Sequence, residues 1–136
     1  KALPACEWVI VHDGARPLLT EKVLDDGLAT AKATGAAIAG IPMVDTVKAV
    51  TDDGHVRETL DRRTLAVIQT PQVFRRDLLE AAHAEPSEDF TDDASMLEAA
   101  GVPVEVYMGD RSNIKVTTRD DLIVAEAIIA ARERQA

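Results

Sequence analysis

An apolar run that ends in a turn constrains the fold more than any other stretch of this chain. Residues 8–11 (WVIV) have the composition of a strand that is buried on both faces. The run stops within the next three residues, where Gly14 permits a sharp turn and Pro17 keeps the strand from continuing. Asp13 and Arg16 are therefore delivered to the carboxyl end of a buried strand, the edge at which open α/β sheets bind ligands.

The two polar side chains in this turn, Asp13 and Arg16, admit two interpretations. A carboxylate accepts hydrogen bonds from sugar or polyol hydroxyls, and a guanidinium holds a phosphate through two parallel hydrogen bonds. The same pair would also serve as a structural ion pair that closes the loop. The stretch by itself does not favour one interpretation over the other.

Downstream residues indicate an α/β domain. Thr20 and Gly35 mark the start and end of a helix, and an apolar strand follows at residues 36–41, so the first three elements predict a βαβ unit. The remaining patterns predict a third apolar strand at 65–69, a helix from Phe74 to about His83, a short helix at 92–100 capped by Thr91, an edge strand at 102–107, and a last helix with Leu122, Ala125 and Ile129 on one stripe. We expect the core strands to run parallel, which gathers their polar ends at one edge.

Residues 44–60 do not continue this succession of apolar strands and helices. Two polar segments with β-branched residues flank Asp53-Gly54, which is a strong hairpin signal. A hairpin this polar gains little by lying on its own core. We therefore expect it to reach outward to a partner such as a second copy of the chain, although an ordinary solvent-exposed hairpin fits the same sequence.

Composition excludes several classes of function. The net charge of -9 argues against broad nucleic-acid binding, which needs a basic face. No apolar run is long enough to span a membrane and the N-terminus does not resemble a signal peptide, so we expect no membrane association. The single cysteine, Cys6, rules out an internal disulfide, and we expect a cytoplasmic location.

Several polar residues stand where predicted strands or extended segments end: Asp13, Arg16, Asp45, Thr46, Thr70, Thr91 and Lys115. Hydroxyls, carboxylates and cations together suit a phosphorylated polyol better than an apolar ligand, and Lys115 is a candidate to stabilise charge on a transferred phosphoryl or nucleotidyl group. Structural alternatives exist, since Thr91 also suits a helix cap, and Lys115 and Arg62 also suit an exposed surface. The sequence contains no cluster with metal-ligand spacing and no Gly-rich phosphate loop.

Five motifs occur in order, at residues 11–17 (VHDGARP), 45–48 (DTVK), 69–72 (QTPQ), 91–95 (TDDAS) and 113–117 (NIKVT). The series resembles the 2-C-methyl-D-erythritol 4-phosphate cytidylyltransferase family of the non-mevalonate isoprenoid pathway. The resemblance runs from Trp8 to the final helix, and five ordered motifs are specific to this family and its close polyol-phosphate cytidylyltransferase relatives.

The resemblance implies a Rossmann-like nucleotidyltransferase three-layer fold and a homodimer joined through a protruding β-hairpin dimerisation arm, here residues 44–64 of a single partial domain, 1–136. It implies that CMP passes from CTP to 2-C-methyl-D-erythritol 4-phosphate, giving the CDP-methylerythritol and pyrophosphate, with Mg²⁺ held mainly by the CTP phosphates. Family members begin with a strand and a Gly-rich loop that cradle the triphosphate, and this sequence contains neither. We therefore expect a fold truncated at the N-terminus and a polypeptide that, taken alone, is inactive or nearly so.

Matching positions imply a role for each site residue. Lys115 matches a lysine that positions the phosphate and stabilises the transition state, and Arg62 matches a second catalytic residue. Thr46 and Arg62 are expected to reach across the dimer. The resemblance implies nucleotide contacts by the backbone of Ala15 and by Lys115. It implies substrate contacts by Asp13, Arg16, Thr46, Thr70 and Thr91, and it implies no protein ligand to the metal.

Two rival functions remain open. A CTP-dependent enzyme for another polyol phosphate, such as ribitol 5-phosphate, would use the same Asp, Arg and Thr types. A non-catalytic dimerisation or binding module derived from the same fold would keep the arm and dispense with the nucleotide loop. The charged last helix has no clear stop, which leaves a second pathway enzyme fused downstream open as well.

Overall fold

The computed structural model describes residues 6–84 and 90–134, so residues 1–5, 85–89 and 135–136 of the predicted domain lie outside the described part. In chain order the elements are β1 Trp8–Val11, α1 Glu21–Thr34, β2 Ala36–Pro42, β3 Lys48–Val50, β4 Val56–Thr59, β5 Ala66–Arg75, α2 Arg76–Ala84, α3 Asp93–Ala99, β6 Glu105–Met108 and α4 Arg119–Glu133. A short 3-10 turn at Arg62–Thr64 precedes β5. None of the described helices combines the length and apolarity needed to cross a membrane.

The main sheet has the strand order β1-β5-β2-β6 and mixed strand directions. β5 runs antiparallel to both of its neighbours, and within the described sheet only β2 and β6 pair in parallel. The expectation of a parallel sheet is therefore wrong for two of its three strand pairs. β1 and β2 still run in the same direction and are joined by α1, so the βαβ crossover forms with β5 between its two strands.

β5 differs from the predicted third strand because it does not end before Pro71. Predicted at residues 65–69, the strand runs on through a cis peptide bond between Thr70 and Pro71. Its pairing with β2 is interrupted by a register shift between Ile38 and Gly40 and then resumes. Beyond Pro71 the strand pairs with β1 as well as β2. Ladder bonds on both sides therefore override the local effect of a proline, which by itself favours a strand end.

Core side chains lie on both faces of the sheet, which gives the three layers that we expected. On one face α1 packs against the sheet through Val23, Ala31, Ala37, Ala39, Val73 and Tyr107. On the other face α2 and α3 pack through Ala36, Ile38, Phe74, Ala82, Ala94 and Leu97. The prediction that placed Phe74 in a helix is wrong, because this fully buried residue belongs to β5 and α2 begins at Arg76.

Tyr107 of β6 reaches over small residues to the backbone of β5. Its hydroxyl donates a hydrogen bond to the carbonyl of Pro71 at 3.1 Å. Gly27 of α1 makes room for the ring, since a β-carbon at that position would lie 2.6 Å from the Tyr107 hydroxyl oxygen. Burial and the nearby carboxylate of Asp26 raise the pKa of Tyr107 to about 12, so the hydroxyl keeps its proton.

Asp92 caps α3, in place of the predicted Thr91. The Asp92 carboxylate accepts a hydrogen bond from the Ser95 backbone N–H at 2.9 Å, and Ser95 Oγ lies 3.4 Å from the Asp92 backbone N–H. This reciprocal pair is a capping box, which satisfies two backbone donors that the first turn of a helix leaves free. Thr91 is left exposed beside the cap.

The apolar stripe predicted for the last helix is only partly buried. Ala125 is 5% exposed, whereas Leu122 and Ile129 are 53% and 43% exposed. Arg132 attaches α4 to the loop between β1 and α1 by donating to the carbonyl oxygen of Leu18 at 3.1 Å. Helical periodicity identified the apolar positions correctly, but no described segment covers two of them.

The predicted hairpin is present and forms a two-stranded sheet of its own. β3 and β4 pair antiparallel, with Lys48 opposite Thr59. Every residue from 51 to 59 is exposed, including Val56 at 60%.

The fourth core strand is shorter than predicted, at Glu105–Met108, and lies at an edge of the described sheet as expected.

Candidate functional site

A cavity of about 280 Å³ lies where the turn after β1 meets the middle of β5. Its walls bring together five predicted site residues that are far apart in the sequence. The lining residues are Asp13, Arg16, Ile68, Gln69, Thr70, Gln72, Thr91, Asp92 and Lys115. The expectation that polar segment ends gather in one place therefore holds for these five, although the sheet that gathers them is mixed rather than parallel.

Asp13 lies between two cations at the mouth of β1. Its Oδ2 is 3.3 Å from Arg16 Nε and 3.1 Å from Lys115 Nζ. Partial burial alone would raise the pKa of Asp13, but hydrogen bonding and charge from Lys115 and Arg16 outweigh it and hold the pKa below its ordinary value. The carboxylate is therefore ionised at neutral pH and is available as a hydrogen-bond acceptor.

Arg16 is the more enclosed of the two cations. Its side chain is 11% exposed, and its Nη1 donates to the Asn113 carbonyl at 2.8 Å. The Lys115 side chain is 50% exposed. Arg16 therefore fixes the loop that carries Lys115, while the Lys115 ammonium remains open to an incoming anion.

The loop that carries Lys115 is fastened to β5 and to the turn after β1. Asn113 is fully buried, and its Nδ2 donates to the Thr70 carbonyl at 2.7 Å. Gln69 Nε2 donates to the Asp110 carbonyl at 2.8 Å. The Val116 N–H donates to the Ala15 carbonyl at 2.8 Å. Hydrogen bonds before and after Lys115 in the chain therefore hold its loop in place, and Ala15 lies beside this loop without lining the cavity.

The residues that line the cavity include Gln72 and Asp92, which the sequence did not identify as site residues. Gln72 Nε2 donates to Asp92 Oδ2 at 2.8 Å. Burial alone would raise the pKa of Asp92, but hydrogen bonds from Gln72 and Ser95 outweigh it, so the pKa lies below its ordinary value. The spacing of Asp92 and Ser95 could have identified Asp92 as the N-cap of α3, because an N-cap carboxylate and a polar residue three positions later form a capping box.

The cavity combines groups of opposite charge, and one of its carboxylates, Asp13, contacts both cations. Lys115 and Arg16 supply cations, and Asp13 and Asp92 supply carboxylates. Cations and N–H donors suit phosphate oxygens, whereas carboxylates suit hydroxyl donors. A small molecule that carries both a phosphate and several hydroxyls matches this arrangement.

A comparison with known protein families identifies the family to which this chain belongs. The sequence model of 2-C-methyl-D-erythritol 4-phosphate cytidylyltransferase matches residues 1–131. The chain belongs to that family.

Known members of the 2-C-methyl-D-erythritol 4-phosphate cytidylyltransferase family resemble the chain in sequence and in fold. The protein of that name from Syntrophus aciditrophicus is 48% identical over 130 residues, which cover 93% of this chain and 56% of that protein. The crystal structure of the Thermus thermophilus cytidylyltransferase superposes with a TM-score of 0.82 at 34% identity, covering 91% of this chain and 62% of that one. The chain spans about half the length of the curated relatives that it matches.

The superposition also supports the expected fold class. The 4-diphosphocytidyl-2C-methyl-D-erythritol synthase of Anaerococcus prevotii matches with a TM-score of 0.86 at 34% identity over 95% of this chain and 61% of that one. The α/β three-layer arrangement described above is therefore that of the cytidylyltransferase family, in its Rossmann-like nucleotidyltransferase form.

Two predicted site residues of the cytidylyltransferase pattern, Thr46 and Arg62, lie away from the cavity. Both are exposed and belong to the segment that contains the hairpin. Arg62 Nη1 donates to the Val44 carbonyl at 2.6 Å, which holds the guanidinium against the base of the hairpin. Their expected contribution to the site of a second subunit stays a prediction.

The residues that the structure describes contain no group of three or more His, Cys, Asp or Glu side chains that could hold a metal ion. These residues do not by themselves provide a protein-built metal centre. The magnesium ion expected from the family resemblance stays a prediction.

Proposed function

We propose that the protein transfers CMP from CTP to 2-C-methyl-D-erythritol 4-phosphate in non-mevalonate isoprenoid biosynthesis, in the cytoplasm. One observation carries the proposal: in a chain of this family, Asp13, Thr70 and Lys115 converge on one polar cavity from three separate segments. The chain spans about half the length of its relatives, so the proposal concerns the whole protein to which these residues belong. The nucleotide-binding loop expected in family members would come from residues upstream.

The reaction forms one P–O bond and breaks another. An oxygen of the acceptor phosphate attacks the α-phosphorus of CTP, and the bond from that phosphorus to the bridging oxygen breaks in line, so pyrophosphate leaves with the electron pair. Both reactants are anions, and cations on each side of the transferred group lower the barrier. Mg²⁺, when bound with CTP, would supply positive charge at the triphosphate.

Within this chain, Lys115 is the cation placed to meet the acceptor phosphate. Its ammonium is half exposed and contacts only Asp13 among the described ion pairs. When a phosphate arrives, the ammonium can bind it while Asp13 keeps its second cationic neighbour, Arg16. Asp13 and Thr70 then accept hydrogen bonds from hydroxyls of the polyol, and Ala15 lies beside the nucleotide.

We further propose that two subunits join through the arm of residues 44–64. The hairpin exposes Val44, Val50 and Val56 at 54%, 60% and 60%. Three large apolar side chains on one small protruding unit favour a covered surface over a solvated one. In such a homodimer Thr46 and Arg62 would reach the substrate in the partner's cavity, with Arg62 contributing to catalysis.

The test is a pyrophosphate-release assay with CTP, Mg²⁺ and methylerythritol phosphate. It is run on residues 1–136 and on a form extended upstream to the length of the relatives, with ribitol 5-phosphate as the competing acceptor. We expect turnover of methylerythritol phosphate by the extended form alone. Faster turnover of ribitol 5-phosphate would make that compound the assigned substrate. A protein that forms a dimer but is inactive in both forms would be assigned as a binding module instead of an enzyme.

A further inference from the structure

The His12 side chain is not assigned a role by the proposed reaction, yet it connects two walls of the cavity. Its Nε2 lies 3.0 Å from the carbonyl oxygen of Arg16. Its Nδ1 lies 3.0 Å from the hydroxyl oxygen of Thr70. The same hydroxyl oxygen accepts a hydrogen bond from the Asp13 backbone N–H at 2.9 Å. One imidazole therefore links the turn after β1 to the centre of β5.

The partners of the ring fix where its proton lies. The Arg16 carbonyl can only accept a hydrogen bond, so Nε2 must donate and carry the proton. In a neutral imidazole Nδ1 is then an acceptor, and its only partner here, Thr70, must donate its hydroxyl proton to it. The arrangement thus has a single consistent assignment for the neutral ring.

With this proton assignment, the Thr70 hydroxyl has one hydrogen-bonding position left for a ligand, and that position is an acceptor. A threonine hydroxyl has one proton and two acceptor positions. The proton is directed to His12 and one acceptor position is used by the Asp13 N–H. What remains toward the cavity is one lone pair, which binds a donor such as a hydroxyl and repels a phosphate oxygen.

We propose that His12 is a positioning residue that makes Thr70 an obligatory hydrogen-bond acceptor and so selects a hydroxyl of the substrate at that point. The inference deepens the proposed function and rests on it where it concerns the polyol. Thr70 then presents a hydrogen-bond acceptor to the substrate, while Lys115, whose ammonium also contacts Asp13 at 3.1 Å, presents the cation that binds the phosphate. A hydroxyl of the acceptor substrate therefore binds at Thr70, and its phosphate binds at Lys115.

Two substitutions at His12 separate this role from a merely structural one. His12→Asn places an amide oxygen near the position of Nδ1, so it still accepts the Thr70 proton but loses the bond to Arg16. His12→Gln places an amide nitrogen near the position of Nε2, so it retains the bond to Arg16 but releases the Thr70 proton. His83→Gln, on the exposed surface of α2, is the matched control.

The kinetic comparison uses whichever form turns over in the pyrophosphate-release assay. We expect His12→Gln to raise the KM for the polyol phosphate about tenfold, the size of one hydrogen bond replaced by an unpaired group, with kcat and the KM for CTP little changed. His12→Asn should stay within about threefold of the wild type because it restores the acceptor. The reverse ranking, with His12→Gln near wild type, would assign His12 to supporting the turn and overturn the proposal.

An NMR measurement on the same protein decides the proton assignment without any substrate. Imidazole ¹⁵N spectra at pH 8 distinguish the Nε2–H tautomer from the Nδ1–H tautomer, and the signal that disappears in His12→Gln is that of His12. The Nε2–H form supports the proposal, and the Nδ1–H form or a doubly protonated ring contradicts it. If the wild type fails to turn over methylerythritol phosphate while the Nε2–H form is observed, the proposed function fails and the positioning of Thr70 stands.

Discussion

In the cavity, side chains from distant segments hold one another in place, whereas in the hairpin arm the contacts join residues of the arm itself. The cavity bonds connect Asp13 with Thr70 and Arg16 with Asn113, pairs separated by 57 and 97 residues. In the arm, Lys48 Nζ contacts Thr59 Oγ1 at 2.6 Å and Arg62 contacts Val44. Both regions contain predicted site residues, but only one of them is fixed by the fold of a single chain.

This difference indicates which parts of the site one subunit can build. Asp13, Arg16, Thr70 and Lys115 have their geometry before any ligand or partner arrives. Thr46 and Arg62 lie on an exposed hairpin whose apolar side chains face solvent. We propose that their placement against a substrate depends on a second copy of the chain.

The largest expected effect is on stability and contrasts Phe74 with Val56. Phe74→Ala should lower the free energy of unfolding by about 3–5 kcal/mol, because it empties a fully buried position beneath the sheet. Val56→Ala should cost less than about 0.5 kcal/mol at low protein concentration, because the side chain is mostly exposed. Urea unfolding at two protein concentrations checks both values.

The concentration series makes the contrast sharper. If a second copy covers the arm, the cost of Val56→Ala should increase with protein concentration, since dimerisation adds to apparent stability by mass action. A cost for Val56→Ala that equals that of Phe74→Ala at every concentration would mean that the arm is buried within one chain. The comparison between the two regions would then be invalid.

The next largest effect is on activity and concerns Lys115 and Arg62. In the form of the protein that turns over, each alanine variant should lower kcat about 100- to 1,000-fold, the usual cost of removing one preorganised group that stabilises developing charge. A mixed dimer of the two variants contains one intact site, so equal co-expression should recover about a quarter of the wild-type rate. Pyrophosphate release measures all three samples.

Lys22→Ala is the control for the activity comparison, because this lysine is exposed and pairs with Asp26 on α1. Its kcat should equal that of the wild type. A mixture of Lys115→Ala and Arg62→Ala that remains as inactive as its components would show that both residues serve the same subunit. The arm would then have no role in the partner's cavity.

The smallest effect concerns the end of the loop that carries Lys115. The Asp121 carboxylate accepts hydrogen bonds from the backbone N–H groups of Thr117 and Thr118, which lower its pKa to about 2. Because the folded-state pKa is depressed, the ionised carboxylate contributes stability above its ordinary pKa and loses that contribution as the pH falls toward 2. Asp121→Asn should therefore be less stable than the wild type at pH 6, and the two proteins should converge near pH 2.

Urea unfolding at several pH values between 6 and 2 gives the comparison. A constant difference between Asp121→Asn and the wild type across that range would mean that the charge of Asp121 contributes nothing. The loop would then depend on its other contacts, such as those of Asn113 and Arg16, and the cavity would be less tightly fixed than we describe.

Sequence reasoning predicted the cavity residues better than the strand that supports them. Asp13, Thr70 and Lys115 were identified because polar side chains follow apolar or extended segments, a local pattern that a sequence displays directly. The course of β5 was missed because Pro71 is a local stop signal, whereas the ladders with β1 and β2 on either side are tertiary contacts. Local signals fix where a polar group lies along the chain but not which strand will pair beside it.

Other errors have the same origin in interactions that the local sequence does not contain. Thr91 and Asp92 are adjacent and both suit a helix cap, and only the partner at Ser95 distinguishes them. Leu122 and Ile129 were placed on an apolar stripe, but periodicity does not reveal which segment would cover it. The expected roles of Thr46 and Arg62 in a second subunit stay predictions.

The tyrosine that crosses from β6 to Pro71 has a consequence for the mutational tolerance of α1. Gly27 does not line the cavity, yet any larger side chain there would push against the ring that holds the backbone next to Thr70. Random mutagenesis should therefore find position 27 intolerant even to alanine, beside exposed helix positions that accept many residues. A library designed only by distance from the substrate would overlook this helix position, which acts on the site through the Tyr107 ring.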